Sequence, residues 1–224
     1  TVIIFCLGLS IGLVIEGKRA MYLNDLIDTQ KVEFASSQLQ YDYISRLRTE
    51  DSCPAIFQSF YHNLQSMDQT RIRLENYALD SKISDDSFDL LKRQYTLEQI
   101  KYWQLAKQAQ EVCNESLARV LYFYSTSQEC PKCADQEFIL DYFKRVFQDR
   151  ILIFALDSKF SQEPMIGVIM KRYNITTFPT IVIDETPVSG FVGKADLLSK
   201  VCPAIDPLKC KSIDPSAPVQ SVSE

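Results

Sequence analysis

Apolar and polar positions divide the chain into three regimes. The first, Val2 to Ile15, is an almost unbroken apolar run, V-I-I-F-C-L-G-L-S-I-G-L-V-I, closed by Glu16, Gly17, Lys18 and Arg19. It is shorter than the ~20 residues that span a bilayer. Because the sequence opens on Thr1 without an initiator Met, residues 1–19 read as the C-terminal part of a truncated transmembrane anchor. A signal peptide is the competing reading, but no small-x-small cleavage pattern follows the apolar core.

The second regime, residues 20–118, is almost free of Gly and Pro and carries apolar residues at three- and four-residue spacing, the mark of helices. One helix is expected through Leu23, Leu26, Ile27, Phe34, Leu39, Tyr43, Ile44 and Leu47. The stretch from Thr49 to Pro54 breaks it, and Ser52 with Pro54 suits a new helix start. That helix carries Ile56, Phe57, Phe60, Leu64 and Met67 and continues toward Leu79. A third opens at Ser84-Asp85-Asp86 and carries Phe88, Leu91, Tyr95, Ile100, Trp103, Leu105 and Ala109. The result is a helical stalk or antiparallel hairpin, with no metal spacing, phosphate loop or nucleophile–base pattern in it.

The third regime, residues 119–202, alternates strands with helices. Val120 to Tyr124 is an apolar run without alternation, which suits a central strand covered on both faces. Phe138, Ile139, Tyr142, Phe143, Val146 and Phe147 follow at helical spacing. Arg150 to Asp157 is a second strand, Pro164 to Tyr173 a helix, Ile181 to Asp184 a third strand, Pro187 to Val192 a fourth and Ala195 to Val201 a closing helix. The order is βαβαββα, so the fold class is α/β. Residues 203–224 form a tail whose polar Pro/Ser end is expected to be disordered.

Candidate chemistry is concentrated after the first strand, where Cys130-Pro131-Lys132-Cys133 opens a helix. The N–H groups and dipole of a helix N-terminus favour thiolate over thiol. Cys130 is therefore a candidate nucleophile, and Cys133, about one turn on, is close enough to resolve a mixed disulfide. Lys132 adds a cation and Glu129 an opposing anion. A half zinc site and a pair of ordinary buried cysteines are the alternatives to a redox pair. Zinc needs four ligands, and the only His is His62.

Composition narrows the setting. The formal net charge of -5 gives no basic footprint for nucleic acid. Six of the seven cysteines lie outside the first apolar segment, an even number that permits pairing throughout and points to an oxidising compartment. Cys53 with Cys113 and Cys202 with Cys210 are the structural disulfide candidates. Lys18 and Arg19 argue for retention on the cytoplasmic side; cysteine usage argues the opposite, and the extracytoplasmic reading is adopted. Asn114-Glu115-Ser116 and Asn174-Ile175-Thr176 have glycosylation spacing, which also arises by chance.

The strand leading to Cys130-Pro131-Lys132-Cys133, Phe178-Pro179-Thr180 entering a later strand and Val192-Gly193 before the last helix together resemble a thioredoxin-fold protein. This portion is somewhat under half of the chain. The resemblance implies that Cys130 attacks, Cys133 resolves, and Phe178-Pro179 is a cis peptide facing them, with Pro131, Lys132, Phe178 and Pro179 contacting substrate. The proline lacks an N–H, and the bend leaves the backbone of the preceding residue free to pair with an extended client. Thioredoxin itself differs: Glu129 stands where it has Trp, Pro131-Lys132 where it has Gly-Pro, and no acid occurs between Val120 and Gln128. A Pro-first dipeptide is similar to glutaredoxins and periplasmic disulfide oxidases and implies a less reducing couple.

The expectation is a single-pass membrane protein whose extracytoplasmic part exchanges disulfides with protein thiols through mixed disulfides. It needs no cofactor, and its partners include client proteins and a possible membrane redox partner. The alternatives are a thioredoxin-like binding subunit, similar to those of oligosaccharyltransferase, and a helical interaction protein with a static Cys130–Cys133 bridge. Exposure discriminates: a catalytic pair leaves the Cys130 sulfur reachable beside Pro179, whereas a static one buries both.

Overall fold

A computed structural model of the chain describes residues 32, 35, 36, 38–79 and 85–205. The described residues up to Leu47 belong to one compact unit and those from Arg48 onward to another. In the first, residues 38–44 are helical. The apolar stretch from Val2 to Ile15 lies outside the described residues. Among those described, no helix is long and apolar enough to cross a membrane.

The second unit begins with a short 3-10 turn, Glu50–Ser52, leading into helix α1, Cys53–Leu79, and helix α2, Asp85–Cys113. The break expected between Thr49 and Pro54 is thus present. Then come β1 (Ala118–Tyr124), α3 (Cys133–Phe147), β2 (Ile151–Asp157), α4 (Pro164–Arg172), β3 (Thr180–Ile183), β4 (Thr186–Ser189) and α5 (Lys194–Ile205). The sheet order is β2-β1-β3-β4, with β1 and β2 parallel and the other two pairings antiparallel. This is a mixed α/β architecture, and the continuous burial of β1 follows from its central place.

Period-two alternation assigns the sheet residues to two faces. On one face Ala118, Val120, Tyr122, Ile151, Ile181 and Ile183 form a single core with Ile139, Leu140, Phe143 and Phe147 of α3 and Leu197, Val201 and Ile205 of α5. Leu121, Phe123, Phe154, Leu156 and Val182 are buried on the other. There Tyr102 of α2 meets Phe154 edge-on at 5.7 Å, and Phe60 of α1 stacks on Tyr102 at 4.5 Å. The hairpin therefore covers the second face of the sheet. Lys92–Asp157 at 2.7 Å and Arg93–Glu163 at 3.0 Å fasten α2 along this contact. The Cys53–Cys113 disulfide expected from cysteine pairing is formed and joins the N-terminus of α1 to the C-terminus of α2.

Most boundaries differ from expectation by a residue or two; the ends of β4 and α5 differ by more. β4 stops at Ser189 rather than Val192 because Gly190, at φ 84°, turns the chain. α5 continues past Val201 to Ile205 with Pro203 inside its last turn, and buried Val201 and Ile205 supply the reason.

Candidate functional site

Strand direction gathers the site at one end of the sheet. β1 and β2 both run toward it, and antiparallel β3 starts there, Phe123 pairing with Thr180. The loops after Tyr124 and Asp157 and the segment before Thr180 consequently meet at this pole. Phe178-Pro179 is a cis peptide. Pro179 is buried, its carbonyl accepts from Gly190 N–H at 2.8 Å, and Thr180 Oγ1 donates to the Thr177 carbonyl at 2.7 Å. Phe178 packs against the core cluster that contains Cys130 and Cys133.

Cys130 and Cys133 are joined as a disulfide. Cys130 N–H donates to Thr126 O at 2.8 Å, and Cys133 N–H to Cys130 O at 3.2 Å, so the two-residue insert closes one tight turn. α3 starts at Cys133, not at Cys130 as the motif suggested, and its N-cap is Lys132. Cys130 sits in the turn ahead of it. No side chain caps this end of α3, so Cys130 and Cys133 lie beside the positive end of its dipole. The start of α4 is different, since the side chain of Glu163 accepts from Met165 N–H at 3.0 Å.

Both cysteines are buried, Cys130 at 2% exposure and Cys133 at 8%. Pro131 and Lys132 are exposed. Lys132 Nζ lies 2.7 Å from Asp135 and 5.8 Å from the ring centre of Phe191, an exposed aromatic that the sequence pattern did not single out. Tyr122 of β1 belongs to the same core cluster as the pair, and Tyr124 packs against it. Tyr122 OH donates to the Cys133 carbonyl at 2.8 Å, and burial pushes its pKa well up. Tyr124 is pushed up to about 12 by burial, with Asp157 and Glu137 adding to the shift. Both shifts favour the neutral phenol.

One further group was missed from sequence. Gln136 is wholly buried and clasps Val192: Val192 N–H donates to Oε1 at 2.7 Å, and Nε2 donates to Val192 O at 3.4 Å. The signal was present as a polar residue on the apolar stripe of Ile139, Leu140, Phe143 and Phe147. Glu129 is held by Ser125 Oγ at 2.8 Å and Lys159 Nζ at 2.6 Å, and these hydrogen bonds, Lys159 foremost, draw its carboxyl below the usual range. The anion beside Cys130 is thereby paired with a cation.

Of the residues singled out in the sequence, Cys130, Cys133, Pro131, Lys132, Phe178 and Pro179 come together at this pole. Cys53 and Cys113 are joined in the hairpin. Cys202 is disulfide-bonded; Cys210, its expected partner, lies outside the described residues. Among the described residues no cluster of three or more His, Cys, Asp or Glu side chains is arranged to hold a metal ion.

No family model matches the chain. No curated protein matches it. Among solved structures, one described as "Structure of a malarial protein" is 20% identical over 39% of this chain and 97% of its own, with a TM-score of 0.33, a likeness that carries no argument about function.

Proposed function

We propose that the protein is a membrane-anchored, extracytoplasmic thiol–disulfide oxidoreductase of the thioredoxin type, with Cys130 and Cys133 as its exchanging pair. The observation that carries this reading is the closed Cys130–Cys133 disulfide at the uncapped start of α3. The convergence of Pro179 on the same pole supports it, as does the Cys53–Cys113 bridge, which fits an oxidising compartment.

In the oxidising direction a client thiolate attacks Cys130 Sγ. A client–Cys130 disulfide forms, the Cys130–Cys133 bond breaks, and Cys133 leaves as thiolate. A second client thiolate then attacks the client sulfur of the mixed disulfide, releasing an oxidised client and Cys130 as thiolate. Two electrons have passed to the cysteine pair. The reverse sequence reduces a client, with Cys133 resolving the intermediate. The α3 N-terminus stabilises the Cys130 thiolate and so makes it a better leaving group. Pro131, Lys132, Phe178 and Pro179 make the client-facing surface, and no cofactor takes part.

Burial of both sulfurs favours a second reading, a static bridge in a protein whose surface binds partners. Trapping separates the two. Cys133→Ala leaves Cys130 without its resolving partner, so the first reading expects mixed disulfides with client proteins to accumulate on Cys130, absent from a Cys130→Ala/Cys133→Ala control. A folded Cys133→Ala protein that captures no client by disulfide would refute it.

A further inference from the structure

We propose that the pole of the sheet opposite the Cys130–Cys133 disulfide is a paired N-glycosylation surface, carried by Asn114 and Asn174. This inference rests on the extracytoplasmic part of the reading above. The two triplets, Asn114-Glu115-Ser116 and Asn174-Ile175-Thr176, are widely separated in sequence and have non-proline central residues.

The fold brings both to one end. Asn114 follows α2 and precedes β1, and Arg150 Nη1, just ahead of β2, donates to the Ser116 carbonyl at 3.2 Å. Asn174 follows α4, where Tyr173 OH and Arg172 Nη2 donate to Glu185 in the β3–β4 turn at 2.7 and 2.9 Å. Strand starts β1 and β2 and the end of β3 define this pole; Cys130 and Pro179 lie at the other. Asn114, Ser116, Asn174 and Thr176 are all exposed. Both asparagines have φ 52° just beyond a helix end, the left-handed position at which Asn serves as a helix terminator. At Asn174 the helix closes with Asn174 N–H on Lys171 O and Ile175 N–H on Met170 O, and buried Ile175 anchors the triplet without engaging the amide.

The donor class is a lipid-linked oligosaccharide. The Asn amide nitrogen bonds to C1 of the first sugar, the C1–O bond to the polyprenyl pyrophosphate breaks, and the amide proton passes to a base of the transferase. Glycans at this pole leave the disulfide pole open to protein clients.

The test is electrophoretic mobility of the full chain made in a eukaryotic secretory pathway, before and after peptide-N-glycosidase, with cysteine oxidation followed by alkylation and mass spectrometry. The expected result is a shift of two steps, with Ser116→Ala and Thr176→Ala each removing one. These variants leave both asparagines in place as helix terminators, so loss of a step is not loss of fold. An unshifted protein with Cys53–Cys113 oxidised overturns the proposal and leaves the compartment reading standing; an unshifted protein with free cysteines overturns both. A single step overturns the paired surface.

Discussion

Two of the molecule's disulfides are of opposite design. Cys53–Cys113 spans 60 residues and ties the far ends of α1 and α2; Cys130–Cys133 spans 3 and ties a turn to the helix it precedes. Closing a long loop removes much more freedom from the unfolded chain than closing a short one, by the loop-entropy relation about 4 kcal/mol against about 2 kcal/mol. The first bond therefore holds the two helices of the hairpin together. The second contributes less to stability and stands at the uncapped start of α3, the place the proposed exchange chemistry requires.

The largest effect expected from breaking this contrast is on stability. Cys53→Ser/Cys113→Ser should lose about 4 kcal/mol and melt roughly 10 °C lower by circular dichroism, with exchange at Cys130 retained in the folded protein. A drop of only a degree or two would mean that packing around Phe60, Tyr102 and Phe154 suffices. Next comes Cys130→Ser/Cys133→Ser, which should cost about 2 kcal/mol or less while exchange with a dithiol peptide falls to background. Equal melting losses in the two double variants would erase the distinction.

The smallest effect is an acid limb at the pole away from the CPKC motif. Burial pushes the Glu185 carboxyl up, but hydrogen bonds from Tyr173, Arg172 and Lys107 outweigh it and bring its pKa down to about 2. Because the folded value lies below the ordinary 4.5, this stabilisation is complete above about pH 4.5 and is lost as pH falls toward 2. Glu185→Gln should flatten that part of a pH–stability curve measured by urea unfolding. The flattening should be the same with Cys130–Cys133 oxidised or reduced, and a redox-dependent difference would link the two poles.

Local patterning carried most of the element order. The unalternated run from Val120 to Tyr124 marked a central strand, Pro164 marked the first turn of α4, and the Cys53–Cys113 pairing followed from cysteine number and shared region. What escaped was tertiary. Periodicity shows that α2 has an apolar face but not what covers it, so the packing of Tyr102 on Phe154 was illegible and the helices read as a stalk or hairpin with no place on the sheet. The start of α3 was placed at Cys130 because turn and helix share their first residues; the Cys133-to-Cys130 backbone bond settles it three residues later. Gln136 was passed over because a single polar residue on an apolar stripe gives no sign of the Val192 backbone it serves. Arg119, buried at the start of β1 with Gln110, Asp184 and Glu185 around its guanidinium, is likewise a product of long-range pairing.

The most direct test of the central claim is the reduction potential of Cys130–Cys133 in glutathione buffers, with Cys53–Cys113 and Cys202 followed in parallel by mass spectrometry. The account predicts that Cys130–Cys133 equilibrates while the protein stays folded and Cys53–Cys113 stays closed, at about −180 mV or less negative, the range of protein disulfide isomerase and stronger oxidants. A pair that stays oxidised until the protein unfolds would contradict the account and make Cys130–Cys133 a structural bond like the one in the hairpin.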